Sequence, residues 1–225
     1  MKTRPYIWIW VIVFAVAMGY LEAVVVIYLR KIFYPDGFGF PLVPIPGNFL
    51  AIEMGREGAT LLMLLAVALL SGANRIERLA FFLLAFGLWD LVYYCFLKLL
   101  IGWPVGLRTW DLLFLLPVLW VGPVWAPCLL SLTMILLSAL IWRTEARSGG
   151  GSFPPGVLRA WMVGAVLVMA AFWIDPLQHS TALHAAAYVP SRFPWPIFAA
   201  GEAAILVGVF RLRRHTALCS PAEEP

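Results

Sequence analysis

The chain has 225 residues, 63% of them hydrophobic and 12% charged, with a mean hydropathy of +0.90. Ordinary soluble domains carry about 25% charged residues, so the composition excludes them, together with disordered and collagen-like sequence. Sixteen Lys and Arg against twelve Asp and Glu leave a formal charge of +4. That excess sits in short tails and connectors between apolar runs, which points to membrane orientation rather than to nucleic acid.

The chain opens on Met1-Lys2-Thr3-Arg4 and an apolar run from Tyr6 to Tyr28. The run is too long for a signal-peptide core and lacks a small-residue cleavage site, so it reads as an uncleaved first span over about 6–29. Residues 30–48 follow, rich in Pro, Gly and aromatics. Such a loop is expected to fold back on the membrane surface or cap the bundle, with Asn48 as N-cap of a second span over 49–71. A third span covers 79–102.

The fourth apolar segment, 111–142, has 32 residues. As a straight helix it would measure about 48 Å, against a hydrocarbon core of roughly 30 Å. It contains Pro117, Gly122-Pro123 and Pro127, and an interior Pro removes a helical hydrogen bond. A break is therefore expected near Gly122-Pro123, with 111–121 a short tilted or re-entrant outer piece and 123–142 the true span.

A fifth span covers 157–174. Asp175-Pro176 has the pattern of an N-cap followed by Pro at the first helical position, which predicts a short outer interfacial helix over 176–187. The sixth span covers 193–212 and residues 213–225 form a tail. The fold class is thus all-α: one polytopic helical bundle of about six transmembrane helices. No folded soluble domain fits in the connectors.

Lys2, Arg4, Arg75, Arg78, Arg143, Arg147, Arg159, Arg211, Arg213 and Arg214 fall on one side of this topology; Arg30, Lys31, Arg108 and Arg192 fall on the other. The positive-inside rule puts both termini in the cytoplasm, and a bacterial cytoplasmic (inner) membrane is the expected location.

The ionisable residues inside the spans are distributed unevenly in depth. Glu22, Glu53, Arg56, Glu57, Asp90 and Lys98 all belong to the outer half or the middle of their spans. Asp111, Asp175, His179, His184 and Arg192 lie at or near the outer connections. A charge in hydrocarbon costs at least ~2.5–3.5 kcal/mol on insertion scales. Concentrating that cost on one side predicts a shared polar cavity open to the extracytoplasmic face. Glu53, Arg56 and Glu57 share a helical face by i, i+3, i+4 spacing, and Asp90, Tyr93, Tyr94 and Lys98 share another. Leaving out Glu202 and the charges of the 30–48 loop, six outer carboxylates (Glu22, Glu53, Glu57, Asp90, Asp111, Asp175) face four cations (Arg56, Lys98, Arg108, Arg192). A surplus of this kind is able to hold a proton, a metal ion or a cationic ligand.

Each residue also has a plainer role available. Arg56 pairs most simply with Glu53, Glu57 or Asp90, and otherwise clamps a phosphate or carboxylate. Asp111 fits the first turn of a helix, Asp175 an N-cap, and Lys98 a side chain snorkelling to the headgroups. Glu22 and Asp90 have the weakest structural excuse. The candidate catalytic residues are therefore Glu22, Glu53, Glu57 and Asp90, with Arg56, Tyr93, Tyr94 and Lys98 as substrate-binding candidates. Asp175, His179 and His184 form a weak metal candidate, since no HExxH motif or His triad is present. Cys95, Cys128 and Cys219 form no CxxC and no disulfide framework.

Three functions fit this pattern: a membrane-embedded enzyme acting on a lipid-like or amphipathic substrate, a protein binding a cation or small ligand, and an accessory or assembly subunit. The first expects membrane lipids as partners, and the last a membrane-protein partner or a second copy. The sequence leaves catalysis, cofactor and metal identity open.

Overall fold

The computed structural model describes residues 6–148, 153–179 and 187–219. Their elements, in chain order, are α1 (Ile7–Phe33), α2 (Gly47–Ser71), α3 (Arg75–Ile101), β1 (Trp110–Phe114), β2 (Trp120–Pro123), α4 (Trp125–Ser148), α5 (Pro155–Gln178) and α6 (Trp195–Cys219). All six helices contain stretches long and apolar enough to cross a bilayer. The chain is a multi-pass helical membrane protein. Its outward side chains agree: Trp10, Leu62, Leu70 and Met162 are among large apolar residues left uncovered by the rest of the chain. An apolar perimeter of this extent is stable against lipid and not against water.

The bundle is built around α3, which packs on α1, α2 and α4; α4 leads to α6, and α6 carries α5. α5 and α6 approach closely through two small residues. A Cβ on Gly164 would stand 2.8 Å from the Gly201 carbonyl oxygen, and one on Gly201 would stand 2.9 Å from that of Gly164. Small residues at such a crossing let backbones meet where lipid offers no hydrophobic drive. α3 begins with the Asn74 side chain accepting the Glu77 N–H at 2.9 Å, while Glu77 reaches back to the Ala73 N–H at 2.8 Å. It ends at Gly102, whose φ of +69° suits glycine.

The break predicted near Gly122-Pro123 falls two residues before α4 starts. The segment ahead of it is an antiparallel hairpin: Trp110 faces Pro123, Asp111 faces Gly122, Leu112 faces Val121 and Phe114 faces Trp120. A proline-interrupted helical fragment would leave backbone groups unpaired at membrane depth. The hairpin pairs them with each other and moves Pro117 into the turn and Pro123 to a strand end, where the missing N–H costs least. The Trp120 indole N–H closes the turn by donating to the Leu116 carbonyl at 2.7 Å.

Other local expectations change. Asn48 does not cap α2, because the helix begins at Gly47 after Pro46. Arg30 and Lys31, read as loop residues, belong to the last turn of α1. Asp175-Pro176 does not start a helix: α5 continues through both to Gln178. The Asp175 carboxylate is unavailable as a cap, since it accepts from the Tyr188 and Ser191 hydroxyls, both at 2.6 Å. Most of the expected interfacial helix, with His184, lies outside the described residues.

Candidate functional site

At the end of the bundle that carries the hairpin, α1, α2, α3 and β1 enclose a cavity of about 110 Å³, room for several water molecules. Its polar floor comes from helical periodicity. On α1, Glu22, Val26 and Arg30 recur at i, i+4 and i+8 and stay within about 80° of one face. α2 contributes Glu53, Arg56, Glu57 and Thr60, and α3 contributes Asp90, Tyr93 and Tyr94. Leu29 and Phe33 of α1, with Tyr34, Phe38 and Ile45 of the following connector, add a largely apolar and aromatic part to its lining.

Two arginines organise the floor. Arg56 donates from Nη1 to Glu22 and from Nε to Glu53 at 2.7 Å, joining α1 to α2. Glu22 also accepts from the Thr60 hydroxyl at 3.5 Å. Arg30 donates from Nη2 to Asp111 Oδ1 at 3.0 Å. Asp111 takes two more bonds, from the Tyr94 hydroxyl at 3.1 Å and the Leu112 N–H at 2.9 Å. The Arg30 guanidinium lies over the Trp103 ring at 3.7 Å and the Phe38 ring at 4.3 Å, a cation–π sandwich. Burial raises the Asp111 carboxyl to about 6, against the opposing pull of Arg30, Tyr94 and the Leu112 N–H.

Two carboxylates of this cavity, Glu57 and Asp90, make no salt bridge to a described residue. Glu57 accepts the Leu115 N–H at 2.9 Å and the Leu116 N–H at 3.3 Å, so it holds the hairpin turn against α2. Glu57 stands ten residues after Gly47, about 15 Å along the helix, which fixes how deep the turn reaches. Asp90 has one hydrogen bond, from the Ser131 hydroxyl of α4 at 2.7 Å.

Of the sequence candidates, Glu22, Glu53, Arg56, Glu57, Asp90, Tyr93 and Tyr94 all line this cavity. Lys98 does not. Its ammonium donates to the Gly102 and Pro104 carbonyls at 3.1 and 2.9 Å and so closes the C-terminus of α3. Asp111 is not a helix-start residue but the buried partner of Arg30. That pair is what sequence reasoning missed; the i+8 spacing from Glu22 was the signal for Arg30, and nothing local signalled Asp111.

The second histidine region is separate. His179 Nδ1 lies 2.8 Å from the Asp175 carbonyl oxygen and 3.6 Å from its Oδ1. Burial and the neighbouring Asp175 raise the Tyr188 hydroxyl well above its ordinary value. Among the described residues, no group of three or more His, Cys, Asp or Glu is placed to hold a metal ion. Glu202 is apart from both, bound by the Thr133 hydroxyl at 2.7 Å between α6 and α4.

No family model, curated protein or solved structure matches the chain.

The chemistry of the cavity therefore follows from its own groups. Arg56 is committed to two carboxylates, while Arg30 holds Asp111 through Nη2 and its buried Nη1 has no hydrogen-bond partner among the described residues. Glu57 is committed to backbone. Asp90 keeps one carboxyl oxygen free of protein hydrogen bonds and faces the cavity, which equips it to give or take a proton at a bound molecule.

Proposed function

We propose that this is a membrane-embedded enzyme whose hairpin-end cavity receives the polar head of an amphipathic, lipid-like substrate. Asp90 acts as general acid/base, Arg56 with Glu22 and Glu53 forms the polar floor, and the connector after α1 serves as an aromatic wall. One observation carries the reading: Asp90, a carboxylate without a salt bridge, borders a cavity whose lining is ionic in one part and apolar in another. A lining divided in this way is a poor match for a small hydrophilic solute. It suits a molecule that arrives from the lipid with its head group leading.

The cavity is assigned to the extracytoplasmic side, with both termini in the cytoplasm of a bacterium. Arg75, Arg78, Arg143, Arg159, Arg211 and Arg213 cluster at the end of the bundle opposite the hairpin.

The test is conversion. Protein purified and reconstituted in vesicles of a total membrane lipid extract should change the abundance of one lipid class, followed by mass spectrometry. Asp90→Asn should lower that rate by roughly 10²–10⁴-fold, the usual worth of a positioned acid or base, while unfolding at an unchanged temperature. No change in any lipid class with wild-type protein, or equal rates in the variant, overturns the reading.

The accessory-subunit reading has its own support. The Glu22–Arg56–Glu53 group joins α1 to α2 through paired charges, as a device that fixes helix packing would.

A further inference from the structure

A second cavity, of about 160 Å³, adjoins the polar one along β1. Leu61 of α2, Phe86 of α3, Leu116 and Trp120 of the hairpin, Leu130 of α4 and Phe172 of α5 form its walls. Its polar members are Asp90 and Ser131, which bond each other. The two cavities share Asp90, Leu113 and Phe114.

Depth and lining identify the occupant. Leu61 stands fourteen residues after Gly47 and Phe86 fifteen before Ile101, each about 21–23 Å from the hairpin end of its helix. That is hydrocarbon depth in a core of roughly 30 Å. Water gains little in such a space, because apolar cavities without several polar partners stay dry. α2 packs on α1 and α3 while α5 packs on α6 and β2, so the hairpin separates α2 from α5 and the cavity lies in the cleft between them. The molecules that fill a cleft at this depth are lipid chains.

We propose that this cavity binds one hydrocarbon chain of the substrate, and that Asp90 meets the junction between chain and polar head. The inference rests on the function proposed above and narrows it. The substrate carries an alkyl, acyl or isoprenoid chain, its head lies in the polar cavity, and the bond under attack is at the head–chain junction rather than at the far end of the head.

Quenching by bromine tests it. The protein is reconstituted in phosphatidylcholine vesicles brominated at the middle of the acyl chain or near its carboxyl end. Trp120 is one of eleven tryptophans, so its emission is taken as wild type minus Trp120→Phe. Mid-chain bromine should quench Trp120 at least twofold more than bromine near the carboxyl end. Leu61→Phe and Leu130→Phe, made separately to fill the cavity, should each abolish that difference while leaving the quenching of the other tryptophans unchanged. Trp120 emission insensitive to bromine, or quenched equally in the filled variants, overturns the proposal. Chain binding without lipid conversion would keep a lipid-chain site in this cavity but refute the enzyme and, with it, the role of that chain as part of a substrate. Conversion without Trp120 quenching would do the reverse.

Discussion

Replacing Arg56 by Met removes the guanidinium that joins α1 to α2 and keeps most of the side-chain volume. The Glu22 and Glu53 side chains are only 11% and 10% exposed, so two carboxylates would be left together in a poorly solvated wall. Removing one partner of a buried ion pair costs about 3–5 kcal/mol. Arg56 is 23% exposed, which places the expected loss at the lower end, about 3 kcal/mol. Glu22→Gln in the same chain removes one of the stranded charges and should recover about 1–2 kcal/mol, because contacting residues couple by 0.5–3 kcal/mol. The exchange Glu22→Arg with Arg56→Glu keeps the pair and reverses it. If the pair serves packing alone, the exchange should restore stability and lipid conversion; if it shapes a binding floor, it should restore stability only. The measurement is the free energy of unfolding in mixed micelles, read by tryptophan fluorescence, beside the conversion rate. A loss below about 1 kcal/mol for Arg56→Met, or additive effects in the double variant, would refute the reasoning.

Two further outcomes are expected. The Asp111 carboxyl titrates near 6, above its ordinary value of 3.8, so the folded state takes up this proton before the unfolded state does. Stability contributed by the group therefore rises as pH falls from about 7 to about 5, and Asp111→Asn should lack that rise; an equal pH dependence in the variant refutes the assignment. For orientation, Asp36→Cys in the connector between α1 and α2 should react with a membrane-impermeant maleimide on intact cells, and labelling only after permeabilisation would place the hairpin end in the cytoplasm.

The ionic cluster was largely legible because helices convert spacing into direction. Once α1, α2 and α3 are helices, Glu22, the Glu53–Arg56–Glu57 group and the Asp90–Tyr93–Tyr94 group have faces, and the cost of burying charge in hydrocarbon requires those faces to meet. Partner choice was not legible. Glu57 looked like a partner for Arg56 one residue away, yet it turns to the Leu115 and Leu116 N–H groups. Unpaired N–H groups in the hairpin turn need an acceptor, and nothing in the local spacing announces a hairpin 58 residues further on. Lys98 shares a face with Asp90 by periodicity, but it lies in the last turn of α3, where open carbonyls compete for it.

Hydropathy over windows of about twenty residues fixed the number of helices and their sequence positions, and proline placement fixed where the fourth run had to stop being helical. Those are local properties, set by side-chain transfer energies and by the missing N–H of proline. The form of residues 110–123, the pairing of Arg30 with Asp111 across 81 residues and the two cavities that meet at Asp90 were decided by packing. Each depends on which helix stands beside which, and in a chain apolar on nearly every face the pattern of hydrophobicity does not encode that choice.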